Sequence, residues 1–159
     1  MQAMRQRGFT LIELMVTLTI LAVLASVALP LSQIAATRNR EEQLRQALWQ
    51  MRSSIDAYKQ AVDDGRVNKS LEDTGYPPEL KTLVEGVKDL KDPSGKKIYF
   101  MRRIPRDPFC DCPSKSDAET WGLRSYASPA DAPADGRDVY DVYTLSNGVG
   151  LNGIPYRNW

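Results

Sequence analysis

One run of residues limits the fold of this chain more than any other feature. Residues 9–31 read FTLIELMVTLTILAVLASVALPL, with Glu13 as the only ionisable side chain, and residues 14–31 hold none. At about 1.5 Å per residue, 14–31 make roughly 27 Å of helix, close to the bilayer's hydrocarbon thickness of about 30 Å. Such a segment can span a membrane, so the folded domain built from the rest of the 159 residues must be small. An ordinary secretory signal offers about 7–15 apolar residues and then a small-x-small cleavage site. Here the run is longer and a helical pattern follows Pro30, which makes cleavage behind the run the weaker reading.

Ahead of the run stands MQAMRQRG, a short polar leader with Arg5 and Arg7 that ends in Gly8, and Arg38 and Arg40 follow the run. Basic residues on both sides blur the positive-inside bias. Long following domains translocate largely regardless of charge, so the leader is placed in the cytoplasm and the C-terminal part across the membrane.

With 21 basic against 20 acidic residues, the net charge of +1 offers no field that would gather nucleic acid. His is absent, which removes the commonest acid/base and metal ligand near neutral pH. A tethered enzyme would have to rely on acids such as Asp107, Asp111 and Asp141, whose spacing reads as solvated turn and strand carboxylates. Cys110 and Cys112 lie one residue apart, so a disulfide between them closes only a small, strained ring, and zinc would need further ligands. They read first as free thiols, with a tight disulfide or a bridge to another subunit as alternatives.

Gly8-Phe9-Thr10-Leu11-Ile12-Glu13 matches contiguously the processing signature of type IV prepilins and pseudopilins, and the chain resembles that superfamily. The resemblance implies a membrane-embedded prepilin peptidase that cuts between Gly8 and Phe9 and methylates the Phe9 amine. Gly8, without a Cβ, lets the scissile backbone lie extended in a narrow cleft. Glu13 at the end of an apolar span would cost a few kcal/mol at the bilayer centre if unpaired. The resemblance supplies a partner: the freed amino terminus of a neighbouring subunit, a pairing that sets axial register. The alternative is that Glu13 snorkels into headgroups. Pro30 removes the bond to the Ser26 carbonyl and is expected to kink or loosen the helix near the membrane exit.

Beyond Pro30 the apolar positions Leu44, Leu48, Met51, Ile55, Tyr58 and Val62 alternate four- and three-residue steps, one stripe of an amphipathic helix. Arg38, Arg40, Glu41, Glu42, Arg45, Gln46, Arg52 and Lys59 are assigned to its other faces, and Asp63-Asp64-Gly65 is a plausible stop. A dimeric coiled coil is the alternative use of the stripe; fewer than three full heptads and unmatched flanking charges argue against it. The expected organisation is a leader at 1–8, a transmembrane polymerisation helix at 9–31, an amphipathic half at 32–65 and a small C-terminal α+β domain at 66–159.

In that domain Gly75-Tyr76-Pro77-Pro78 is a turn, residues 79–84 make a short helix with Leu80, Leu83 and Val84 inward, and Asp92-Pro93-Ser94-Gly95 is a second turn. Strands are expected at 123–127 and 139–145, joined by the loop 128–136. Four blocks resemble the major pseudopilins of type II secretion in order along the chain: Gly75-Tyr76-Pro77-Pro78, Tyr99 through Phe109, Arg124-Ser125-Tyr126-Ala127-Ser128-Pro129, and Asp141-Val142-Tyr143-Thr144-Leu145-Ser146. The family's acidic calcium loop is replaced by Ser146-Asn147-Gly148-Val149-Gly150-Leu151-Asn152-Gly153, without a carboxylate. Hard cations favour oxygen ligands of high charge density, so no cofactor is expected, calcium is doubtful, and Asn147 and Asn152 are weak candidates. A turn packed against Trp159, with Tyr156-Arg157-Asn158-Trp159 as a tether, is the favoured reading of this end.

The resemblance implies an α+β type IV pilin-like fold and a non-enzymatic subunit of a type II secretion pseudopilus. Its partners would be further copies of itself, minor pseudopilins, the prepilin peptidase and, indirectly, an inner-membrane platform and ATPase. It would be a single-pass inner-membrane protein with a periplasmic C-terminal domain. A type IV pilus subunit for adhesion, motility, DNA uptake or electron transfer is the alternative, and an uncleaved bitopic protein is a third.

Overall fold

The computed structural model describes residues 9–70 and 73–159, with the backbone alone at 27–30. The Arg5, Arg7 and Gly8 assignments therefore lie outside the described residues, as does the Pro30 side chain. Two compact units result, one ending at Asn39 and the other running Arg40–Trp159.

The first unit is helical. Helix α1 (Leu11–Asp63) starts immediately after Thr10 and its assignment passes through Pro30 without a break. Its large apolar side chains between Phe9 and Leu24 are 51–83 % exposed, and the helix is long and apolar enough to cross a membrane. The hydroxyls of Thr17, Thr19 and Ser26 turn back onto the helix. Thr17 Oγ1 donates to the Leu14 carbonyl at 2.9 Å, Thr19 Oγ1 to those of Met15 and Val16 at 2.6 and 3.0 Å, and Ser26 Oγ to that of Val23 at 2.7 Å. Those three hydroxyl protons are satisfied within the helix, as an apolar surrounding would require.

The second unit is built on the expected stripe. Leu44, Leu48, Met51, Ile55, Tyr58 and Val62 are all buried and join Leu80, Leu83, Met101, Trp121, Val139, Val142 and Tyr156 in one core. Helix α1 stops where Gly65 takes φ 68°, a conformation open to glycine, and the Arg66 amide returns to the Ala61 carbonyl at 2.9 Å. The short helix α2 (Leu80–Glu85) buries Leu80 and Leu83 and leaves Val84 half-buried.

Two antiparallel hairpins complete the unit. Strands β1 (Val87–Lys88) and β2 (Lys97–Ile98) pair across the expected turn, in which Asp92 Oδ1 accepts the Ser94 amide at 2.8 Å. Neither strand was expected, since two residues carry no alternation to read. Arg66 anchors this hairpin to the end of α1 through Asp89, with its Nε and Nη2 donating to Oδ2 at 3.2 and 2.5 Å. Strands β3 (Trp121–Arg124) and β4 (Asp141–Thr144) pair from Trp121 opposite Thr144 to Arg124 opposite Asp141.

The 123–127 strand is thus displaced towards the N-terminus. Gly122 admits the Tyr143 ring over its Cα, where any Cβ would clash, so the ladder extends back to Trp121. It ends at Arg124 because the Ser125 amide pairs with the Ala134 carbonyl and the chain turns, the Ser128 amide meeting Ser125 O at 3.1 Å. The 139–145 strand shortens to β4, with Val142 and Thr144 inward.

Leu83 is fully buried and its carbonyl accepts the amides of Phe100 and Met101. Leu83→Ala should cost about 2–5 kcal/mol of stability, read by urea unfolding of the C-terminal unit. The Arg66 guanidinium, through its hydrogen bond first, holds the Asp89 carboxyl below its ordinary range. A lowered folded-state value gives stability that is present above the unfolded pKa of about 3.9 and is lost as pH falls through the folded value. Asp89→Asn should therefore flatten the acid limb of a stability-against-pH curve; an unchanged limb would count against the assignment.

Candidate processing and assembly site

The first turn of α1 is arranged as a cap. The Glu13 amide donates to Thr10 Oγ1 at 3.3 Å and the Leu14 amide to the Thr10 carbonyl at 3.2 Å, which makes Thr10 the N-cap and Glu13 the third helical residue. An acid there faces the positive end of the helix dipole. Glu13 is exposed, and among the described residues no ion pair involves it. Phe9 is 83 % exposed. The Thr-x-x-Glu spacing of Thr10 and Glu13 is the signal in the sequence that announces this N-terminus.

The far end of the chain is held on α1 by a buried acid. Glu41 was assigned to the polar faces, but it is 5 % exposed; it lies three residues before Leu44 and so extends the buried stripe by one step. Its Oε1 accepts the Leu151 amide at 2.7 Å and the Tyr156 hydroxyl at 3.0 Å. Tyr156 stacks on Phe109 at 4.2 Å and meets Trp159 edge-on at 5.1 Å, while Arg45 covers the Trp159 ring at 4.4 Å. Arg52, also assigned to a solvent face, donates to Asp141 Oδ1 at 2.8 Å and to the Trp159 main-chain oxygen at 2.8 Å. The tether role of 156–159 follows from these contacts.

The loop after β4 is ordered by its own hydrogen bonds. Ser146 Oγ accepts the Gly148 amide, Asn152 Oδ1 accepts the Ile154 amide at 3.0 Å, and Gly150 bonds Ile154. Asn152 Oδ1 is thus committed, and Asn147 is exposed. Among the described residues no three His, Cys, Asp or Glu side chains gather as a metal-binding group.

The three acids weighed for catalysis have separate lives. Asp107 is 2 % exposed, which corrects its assignment as a solvated turn carboxylate. Its Oδ2 accepts Thr144 Oγ1 at 2.5 Å and its Oδ1 the Phe109 amide at 2.8 Å, and its own amide donates to Thr120 Oγ1 at 3.2 Å. It ties the 105–109 segment to β4 and to the 3-10 turn Asp117–Thr120. Asp141 pairs with Arg52, and Asp111 is exposed.

Cys110 and Cys112 form a disulfide, a correction to their reading as free thiols. Their Cα atoms stand 5.3 Å apart, within the ordinary range for a bridge. The Cys110 amide returns to the Asp107 carbonyl at 3.1 Å and Arg106 Nη2 donates to the Cys112 carbonyl, so the backbone is already turned before the sulfurs join. Closing so short a loop removes little chain entropy, roughly half of the about 3 kcal/mol expected for a 15-residue loop.

A membrane-length helix headed by this capped motif and leading into a small two-hairpin domain defines a pilin-like subunit. The family model for the prokaryotic N-terminal methylation motif matches residues 3–29. The type II secretion system core protein G of Aeromonas hydrophila is 31 % identical over 113 residues, covering 69 % of this chain and 71 % of that protein. Its namesake in Dickeya chrysanthemi is 27 % identical over 154 residues, 94 % of each chain. In Vibrio cholerae serotype O1 the figure is 27 % over 163 residues, 98 % of this chain and 92 % of the relative. No solved structure matches the chain significantly. The chain belongs to the type II secretion system core protein G family.

Burial first, and then the hydrogen bond to Glu41, push the Tyr156 phenol above its ordinary range. A raised folded-state value gives stability that is complete below the unfolded pKa of about 10 and is lost as pH rises through the folded value. Tyr156→Phe should remove this alkaline loss. Glu41→Ala should cost about 1–3 kcal/mol by leaving the Tyr156 hydroxyl and the Leu151 amide without their acceptor, and Glu41→Gln less. Hydrogen exchange at the Leu151 amide would show whether the loop is what loosens.

Proposed function

We propose that this chain is a structural, non-enzymatic subunit of a type II secretion pseudopilus. Prepilin peptidase cuts it between Gly8 and Phe9 and methylates the Phe9 amine. The apolar half of α1 stores it in the inner membrane with the C-terminal unit in the periplasm. An assembly ATPase and platform protein then lift it into a filament of like copies and minor pseudopilins that drives protein export across the outer membrane. Glu13 pairs with the freed amine of a neighbouring subunit, and Pro30 loosens the helix where it leaves the bilayer. No cofactor is required.

The first unit of the chain supports this reading most. Its large apolar side chains are exposed along the stretch from Phe9 to Leu24, and the hydroxyls of Thr17, Thr19 and Ser26 donate within the helix. One acid stands unpaired, among the described residues, in the first turn. That surface suits lipid first and other copies of the same helix afterwards.

In cells carrying the peptidase, N-terminal mass spectrometry should find an N-methylated Phe9; an intact Met1 would count against the proposal. Glu13→Leu should leave processing in place and lower filament yield by about tenfold or more, because the neighbour's amine is then left unpaired in an apolar bundle. Deletion should abolish secretion and leave twitching intact; the opposite outcome would favour a pilus subunit.

A further inference from the structure

The Cys110–Cys112 bridge is asymmetric in two respects that bear on its chemistry. Cys110 lines an open groove of about 660 Å³ together with Gln46, Gln50, Arg103, Arg106 and Asp117. Cys112 is not among the residues lining that groove, and it has a cation beside it. Arg106 Nη2 stands 3.8 Å from Cys112 Sγ and also donates to the Cys112 carbonyl. The same guanidinium is held in place by Nη1, which donates to the Lys115 carbonyl at 2.9 Å and to Asp117 Oδ1 at 3.3 Å. Both cysteines are half-buried, within reach of a small solute. The fold around them is secured separately, by the Asp107 contacts with Thr144, Thr120 and Phe109.

Thiol–disulfide exchange proceeds by in-line attack of a thiolate on one sulfur, and it is fastest when the departing sulfur leaves as a stabilised thiolate. A guanidinium beside a sulfur stabilises its thiolate. We propose that the bridge is a thiol-exchange site for a small anionic peptide thiol of the glutathione type, with attack directed to Cys110 and departure to Cys112. The groove admits the thiol to Cys110; Arg106 is already paired with Asp117, and Arg103 with the three glutamines Gln43, Gln46 and Gln50 suits the carboxylates of a small peptide. A new S–S bond forms between the incoming sulfur and Cys110 Sγ, the Cys110–Cys112 bond breaks, and its electron pair leaves on Cys112 Sγ beside Arg106.

That step makes one disulfide for each one broken. Return attack by the Cys112 thiolate on Cys110 restores the bridge and expels the small thiol. Attack by a second small thiol instead releases the oxidised thiol dimer and leaves both cysteines reduced, the two electrons having come from the two small thiols. While the bridge is open, as the mixed disulfide or fully reduced, the turn at 110–112 is released and the Asp107 contacts still hold the core below it.

The test uses the full chain in detergent micelles, with millimolar reduced glutathione as the probe, an acid quench, iodoacetamide and peptide mass spectrometry. Glutathione on Cys110 with alkylated Cys112 should exceed the reverse adduct on the order of tenfold. Arg106→Gln should slow exchange and erode this preference, and Arg106→Lys, which keeps the charge, should retain much of it. Equal adducts, glutathione chiefly on Cys112, or no exchange where the urea-unfolded chain exchanges readily would each overturn the proposal. The adduct ratio in the unmodified chain decides the matter even if Arg106→Gln fails to fold.

Discussion

Two-stranded hairpins do not hold together alone in water, and apart from its share of α1 the second unit of this protein is made of two of them, a six-residue helix, short 3-10 turns and long loops. What closes it is the apolar stripe of α1 between Leu44 and Val62, the one continuous element in the core. The stripe gives the hairpins a surface on which to bury Val142 and Trp121, and without it the remaining elements have no common partner. The hydrophobic term therefore decides that this unit exists. The polar contacts decide how its loops are set.

Those contacts follow one pattern. Asp107 and Glu41 are buried acids satisfied by hydroxyl and amide donors, with no cation among the hydrogen bonds to either carboxylate. Arg52 and Arg106 work from the other side, Arg52 collecting backbone oxygens from Val142 and Trp159 far along the chain and Arg106 those of the adjoining loop at Cys112 and Lys115. A buried polar group that loses its partner costs more than the bond itself contributes. These residues thus discourage alternative loop arrangements that the apolar core alone would tolerate.

Much of this was legible from spacing. The helix, its stop at Gly65 and the burial of Leu44 through Val62 follow from a three-and-four rhythm, and the membrane-length start follows from the absence of charge. The motif around Phe9 was readable because it is contiguous. Glu41 is placed by its register and not by its type: it stands on the stripe, one step before Leu44, where an acid is not expected. Asp107 and Arg52 were misjudged for a different reason, since their partners Thr144 and Asp141 come from far along the chain and no local pattern announces them. The β1–β2 hairpin is too short to show alternation. The disulfide depends on a turn set by Asp107 and Arg106, which residue spacing alone does not reveal.

Thr10 caps α1 from inside the segment that remains after a cut between Gly8 and Phe9. The helix would then lose nothing of its first turn when the leader departs, and a new positive charge would appear one residue outside the positive pole of its own dipole. Within its own chain that charge is ill-placed, by about 0.3–1 kcal/mol on the usual scale for helix ends. Maturation would leave each monomer carrying an electrostatic mismatch that another molecule's acid can relieve, so the drive to associate would be created by the cut itself.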